Sequence, residues 1–127
     1  LIDPTIDAAF VVTVHDEIIE ETGGLPGFAS GGLGGVESAL QRVSNHMLYA
    51  GLADVFGAAA MYAEAIARGH VFNDANKRTA LTCALTYLQR QGIGVKRHPV
   101  LEDMTVELAS GKVDRELFAW MLWRLAL

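Results

Sequence analysis

The sequence predicts an all-α fold, a compact single-domain helical bundle of about six helices. Three observations carry that expectation. Apolar residues recur at helical spacing along almost the whole chain. Glycines and helix-capping residues interrupt the pattern at intervals of about one helix. The 127 residues are 51% hydrophobic, enough to bury a core without disulfides or metals. A chain of this size is expected to form one domain over residues 1–127.

Each element has its own signals. Asp3 is a good N-cap with Pro4 at the first helical position. Ile6, Phe10, Val14 and Ile18 then follow at helical spacing, and Gly23-Gly24 ends the run. Residues 23–35 hold seven of the thirteen glycines plus Pro26, which reads as a long, flexible loop. A second helix is expected from about Val36 to Ala50, with Leu40, Val43 and Met47 on one face. Gly51 parts it from a third, about Leu52 to Arg68, rich in Ala and carrying Val55, Tyr62 and Ile66. Gly69 ends that helix. The fourth runs from near Asn76 to Gln91, with Leu81, Ala84, Leu85 and Leu88 as its apolar face and Gly92 as its C-cap. Residues 93–97 are short and extended. The fifth covers about Pro99 to Ala109. The sixth starts behind Asp114 as N-cap and carries Leu117, Met121, Leu122 and Leu125.

Composition narrows the function classes. Cys83 is the sole cysteine, so no internal disulfide forms and a reducing, cytoplasmic setting is expected. No apolar run approaches the ~18 residues of a membrane helix, and no signal peptide is visible. The net charge of −5 hides an asymmetry. Residues 1–67 contain nine acids and one base, Arg42, whereas residues 68–98 contain six bases and one acid, Asp74. A local anion site in an acidic protein fits that division. Direct binding of nucleic acid does not, because the overall field repels it.

The stretch His70-Val71-Phe72-Asn73-Asp74-Ala75-Asn76-Lys77-Arg78 concentrates the chemistry. One helix ends just before it and another begins within it. The new helix presents unpaired N–H groups and the positive end of its dipole, to which Lys77 and Arg78 add two charges. Phosphate is the natural guest. Asp74 is placed to hold Mg²⁺ against phosphate oxygens, and Asn76 to donate to one of them. His70 suits a general base, since imidazole exchanges protons near neutral pH. Phe72 is expected to point inward and anchor the loop. Taken singly, such residues are more often caps or solvated charges; their clustering between two helices favours an enzyme.

This stretch resembles the signature of the Fic/Doc family, and specifically its death-on-curing toxin branch. The commoner Fic form reads His-x-Phe-x-Asp/Glu-Gly-Asn-Gly-Arg-x-x-Arg. Here Ala75 and Lys77 replace the two glycines, and Leu81 stands in place of the final Arg. All three departures are typical of the toxin branch. The likeness extends to His15-Asp16, to Gly23-Gly24-Leu25-Pro26-Gly27, and to residues 101–111. It implies a Fic/Doc fold and the toxin of a toxin–antitoxin pair. It further implies an ATP-dependent protein kinase that phosphorylates a threonine of elongation factor Tu and halts translation. Fic enzymes commonly transfer AMP to a protein hydroxyl instead, and a silent binding module is a third reading. Carried over by position, His70 is the catalytic base, Asp74 helps bind Mg²⁺, and Asn76, Lys77 and Arg78 hold ATP phosphates.

The lysine has a steric consequence. A Gly at 77 lets phosphate approach the helix end closely and a second Arg clamps it. Lys77 fills that space and Leu81 supplies no charge, so the nucleotide is expected to bind in the reverse sense, γ-phosphate toward the nucleophile. The family's inhibitory pattern, Ser/Thr-x-x-x-Glu-Gly/Asn, is approached at Thr13 to Glu17 but fails at Ile18. Inhibition is therefore expected from a separate antitoxin whose C-terminal segment folds on binding. In the family a flap near the active site docks the target by strand addition, and residues 24–35 are the candidate.

Other features read as structural. His15, His46 and His98 lack the spacing of a zinc helix, and Cys83 reads as a small core residue. Gly32 and Gly34 belong to no dinucleotide fingerprint, since position 37 is Glu. Gly111-Lys112 is no P-loop, because Val106 and Val113 occupy required positions. Trp120 and Trp123 are expected to pack in the core or to edge a groove.

Overall fold

The computed structural model describes residues 5–50 and 54–127, with side chains at 49 and 50 excluded. Asp3, Pro4, Gly51 and Leu52 lie outside the described residues. The chain forms six α-helices: α1 (Ala8–Thr22), α2 (Gly32–Ala50), α3 (Val55–Gly69), α4 (Asn76–Arg90), α5 (Pro99–Ser110) and α6 (Arg115–Arg124). Among the described residues there is no strand, and only two isolated β-bridges join extended segments. The all-α expectation holds.

α3 lies at the centre and packs on α2, α4, α5 and α6, while α1 lies against α4 and α2. Its composition explains the position. Ala58, Ala59, Ala60, Ala63 and Ala67 are all buried, so four neighbours approach its backbone closely. Tyr62 and Ile66 fill the larger gaps, and the Tyr62 ring meets Tyr87 of α4 with centroids 5.2 Å apart. Leu88, Leu101, Leu108, Phe118 and Leu122 complete the core from α4, α5 and α6. Cys83 is fully buried there, and burial pushes its thiol up to about 12.

Side-chain caps set several helix ends. Asp7, Asp54 and Asp114 accept from Phe10, Phe56 and Leu117 N–H at 2.8, 3.0 and 2.8 Å. His98 Nδ1 accepts from Val100 N–H and so caps α5, with Pro99 at its first turn. Gly23 ends α1 at φ 78°, as the double glycine predicts.

Several boundaries and faces differ from the sequence reading. α1 starts behind Asp7, because Ile6 is buried ahead of the helix. α2 begins at Gly32 rather than Val36: packing of Val36, Ala39, Leu40 and Val43 carries the helix back over glycines that alone disfavour it. The α6 face is rotated by one residue, with Phe118 and Leu122 buried and Leu117 exposed. Trp120 and Trp123 are half-exposed rather than core residues. They edge a cleft of about 460 Å³ with Phe56, Met61 and Arg115. The segment after α4 pairs with the chain end through Lys96 N–H to the Leu125 carbonyl and Leu127 N–H to the Gly94 carbonyl.

Candidate active site

α3 and α4 are joined by residues 70–75, and both ends of that loop turn through the left-handed region. His70 has φ 47° and Ala75 φ 61°. Both lack the freedom of glycine, so the surroundings must hold them there. Phe72 does much of this holding. It is buried, stacks on the His15 ring at 3.7 Å, and meets Phe28 at 5.7 Å. The expectation that Phe72 anchors the loop inward is met. Asn76 closes the turn: Phe72 N–H donates to its Oδ1 at 3.0 Å, and its Nδ2 donates to the Phe72 carbonyl at 2.9 Å. The carboxamide thus acts first as a brace, with one amide hydrogen left for a ligand.

The glycine-rich segment is tied to the same loop. Ala29 N–H donates to the Val71 carbonyl and Asn73 N–H to the Gly27 carbonyl, an antiparallel bridge between Phe28 and Phe72. Asn73 Nδ2 adds a bond to the Pro26 carbonyl at 3.1 Å. The segment is therefore joined through residues 25–29 to the motif loop.

Asp74 accepts from Ala75 N–H at 2.8 Å and from Leu25 N–H at 3.2 Å, one bond to each oxygen. Gly24 makes the second contact possible, since a Cβ there would lie 2.7 Å from Asp74 Oδ2. The Ala75 bond is the largest cause holding the Asp74 carboxyl below its usual range. Leu25, Arg78 and His15 act in the same sense, and desolvation opposes them. The carboxylate stays ionised at neutral pH. It does not cap α4, whose N-cap residue is Ala75 with no side-chain bond. The first turn of α4 keeps its N–H groups for a ligand.

Asp74, Asn76, Lys77 and Arg78 line one groove of about 710 Å³ between α1, α4 and α5. Leu81 and Arg97, the latter from the segment before α5, also line it. Arg78 Nη1 donates to Thr22 Oγ1, which fixes the guanidinium at the α1 end. Lys77 is exposed and forms no ion pair or side-chain hydrogen bond with the described residues. His70 does not line this groove. Its imidazole is exposed at the other end of the loop and has no hydrogen bond within the described residues. The groove lining also includes Glu17, Glu21 and Glu102. Asp74 is the carboxylate on the loop that leads into the cationic end of α4, and that place fits Mg²⁺, which takes one or two protein oxygens with phosphate oxygens and water.

The sequence reading missed His15. It is fully buried, and its Nε2 lies 2.9 Å from the Asp74 carbonyl oxygen. The signal was present, because His15 falls on the same α1 stripe as the buried Val11 and Val14. His46 is exposed on α2, and His98 is the α5 cap.

The Fic/DOC family model matches residues 5–88, which span α1 to α3, the motif loop and most of α4. The chain belongs to the Fic/Doc family. Over 115 residues this Fic/Doc chain is 43% identical to the protein kinase doc of Escherichia phage P1, covering 91% of this chain and 90% of that protein. It is a homologue of a protein kinase over nearly its whole length. None of its described helices is long and apolar enough to cross a membrane.

Proposed function

We propose that this chain, as one domain over residues 1–127, is an ATP-dependent protein kinase and the toxin of a toxin–antitoxin pair. Its substrate is a threonine hydroxyl of elongation factor Tu or a similar translation factor, and its site of action is the cytoplasm. The observation that carries the reading is the cationic first turn of α4, where Lys77 replaces the smaller residue of AMP-transferring relatives and projects free beside Arg78. The 43% identity to a protein kinase supports it.

The target hydroxyl oxygen attacks the γ-phosphorus of ATP. A new O–P bond forms, the bond from that phosphorus to the β–γ bridging oxygen breaks, and ADP leaves. His70 takes the hydroxyl proton. Lys77, Arg78 and the α4 N–H groups hold phosphate oxygens, with the remaining Asn76 amide hydrogen as a further donor. Mg²⁺ held by Asp74 would neutralise phosphate charge. The target segment would add as a strand beside Phe28, on the side of the 27–29 segment away from its bridge to Phe72.

The test uses elongation factor Tu with ATP labelled at either the α- or the γ-phosphate. Transfer of γ-label to a threonine is the expected result. Transfer of α-label would replace the kinase with an AMP transferase. Transfer of neither would leave a binding module that engages an antitoxin or a target without chemistry.

A further inference from the structure

The proposed chemistry does not use His15, yet this residue lies directly beneath the loop that carries Asp74. Its side chain is fully buried, and 59 positions separate the two residues in sequence. A carbonyl oxygen only accepts, so the 2.9 Å contact places the proton on His15 Nε2. The ring lies flat on Phe72, with 5° between the planes. Asp16 Oδ1 flanks Nδ1 at 3.2 Å.

One peptide unit links these contacts. The Asp74 carbonyl and the Ala75 N–H belong to the same plane. His15 holds the carbonyl end, and the Asp74 carboxylate holds the N–H end at 2.8 Å. That peptide leads into Ala75, whose φ of 61° requires its present orientation. Rotating it would carry the Ala75 N–H away from Asp74 Oδ1 and release the carboxylate.

We propose that His15 is a positioning residue for Asp74, its Nε2–H fixing the 74–75 peptide so that the carboxylate stays aimed into the groove for Mg²⁺. The proposal rests on Asp74 being the metal ligand of the proposed kinase. His15 acts through Asp74 and touches neither nucleotide nor target.

Two variants separate the donor from the ring. His15→Phe keeps a flat ring against Phe72 and removes the donor. His15→Gln loses the ring and keeps an amide N–H at similar reach. Calorimetry measures ADP binding to each folded variant with Mg²⁺ and with chelator. Outer-shell partners of metal ligands are typically worth about 10–100-fold in affinity. His15→Phe should lose about 10–100-fold of the Mg²⁺-dependent part of the affinity, with metal-free ADP binding unchanged. His15→Gln should restore most of it. If His15→Phe fails to fold, His15→Met is the donorless replacement.

Equal behaviour of the donorless and Gln variants overturns the proposal, and so does an equal loss with and without metal. The kinase reading stands or falls separately. If the wild type transfers no γ-label while the Mg²⁺-dependent difference between Phe and Gln persists, the kinase fails and the positioning role stands. If the wild type transfers γ-label and His15→Phe binds MgADP normally, the positioning role fails alone.

Discussion

Truncating Asn76 tests how the motif loop is held. Its carboxamide makes two hydrogen bonds to the backbone of Phe72, at 3.0 and 2.9 Å. Phe72 is 3% exposed, so in Asn76→Ala its N–H and carbonyl are poorly placed to recruit water. A hydrogen bond contributes about 0.5–1.5 kcal/mol net, which gives about 1–3 kcal/mol for the pair. Unfolding entropy near 60 °C is about 2.1 cal/mol/K per residue, or about 270 cal/mol/K for a chain of this length. The expected fall in Tm is therefore about 4–11 °C. Scanning calorimetry reads the shift, and ADP titration reads the site. Nucleotide affinity should drop as well, since Asn76 opens the helix that binds phosphate. An unchanged Tm would show that the reciprocal pair does not hold the loop, and the account of Asn76 as a brace would be wrong.

Three further outcomes are expected. His70→Ala should lower turnover by about 10²–10⁴-fold in steady-state kinetics while folding and ADP binding persist; near-normal turnover would remove His70 from the mechanism. Asp74 has its folded pKa depressed below the ordinary 3.8, so its contribution is present above the unfolded value and lost as pH falls through the folded one. Denaturant melts should then show Asp74→Asn less stable than wild type at pH 7, with the gap closing below about pH 4; a gap independent of pH would contradict this. Lys77→Gly should lose phosphoryl transfer, and Lys77→Gly with Leu81→Arg should gain AMP transfer, read by mass spectrometry of the target. Wild-type phosphorylation in both would show that Lys77 does not set nucleotide orientation.

The parts of this structure legible in the sequence are those fixed by near neighbours. Asp114 announces the start of α6 because its partner is three residues away. The charged motif was readable as a site because Asp74, Asn76, Lys77 and Arg78 are close in sequence and stay together in one groove. Long-range choices were not readable. Asp3 and Asp7 are both good caps for α1, and burial of Ile6 ahead of the helix accompanies the start behind Asp7. Gly24 looks like one more loop glycine until Asp74 Oδ2, fifty positions on, occupies the space of its Cβ. His15 reads as an isolated histidine because both partners that explain it, Phe72 and the Asp74 carbonyl, come from far along the chain, the latter 59 positions on.

The same distinction explains why the loop tolerates an alanine where the commoner family form has glycine. Ala75 at φ 61° and His70 at φ 47° are each unfavourable by about 1–3 kcal/mol when judged alone. The opposing contacts are all visible: the Asn76 brace, the two N–H bonds to Asp74, the His15 bond and the stack on Phe72. A glycine at 75 would relieve the strain but widen the unfolded ensemble by about 0.4–1 kcal/mol, so part of the gain would cancel. What alanine adds is a narrower range of conformations for the loop itself. His70 and Asp74, the proposed base and the proposed metal ligand, stand near opposite ends of a segment fixed at its termini and pinned at its middle. Their separation is then set by the packing of α1, α3 and α4 and not by the loop's own preference, which is the condition for a pre-organised site.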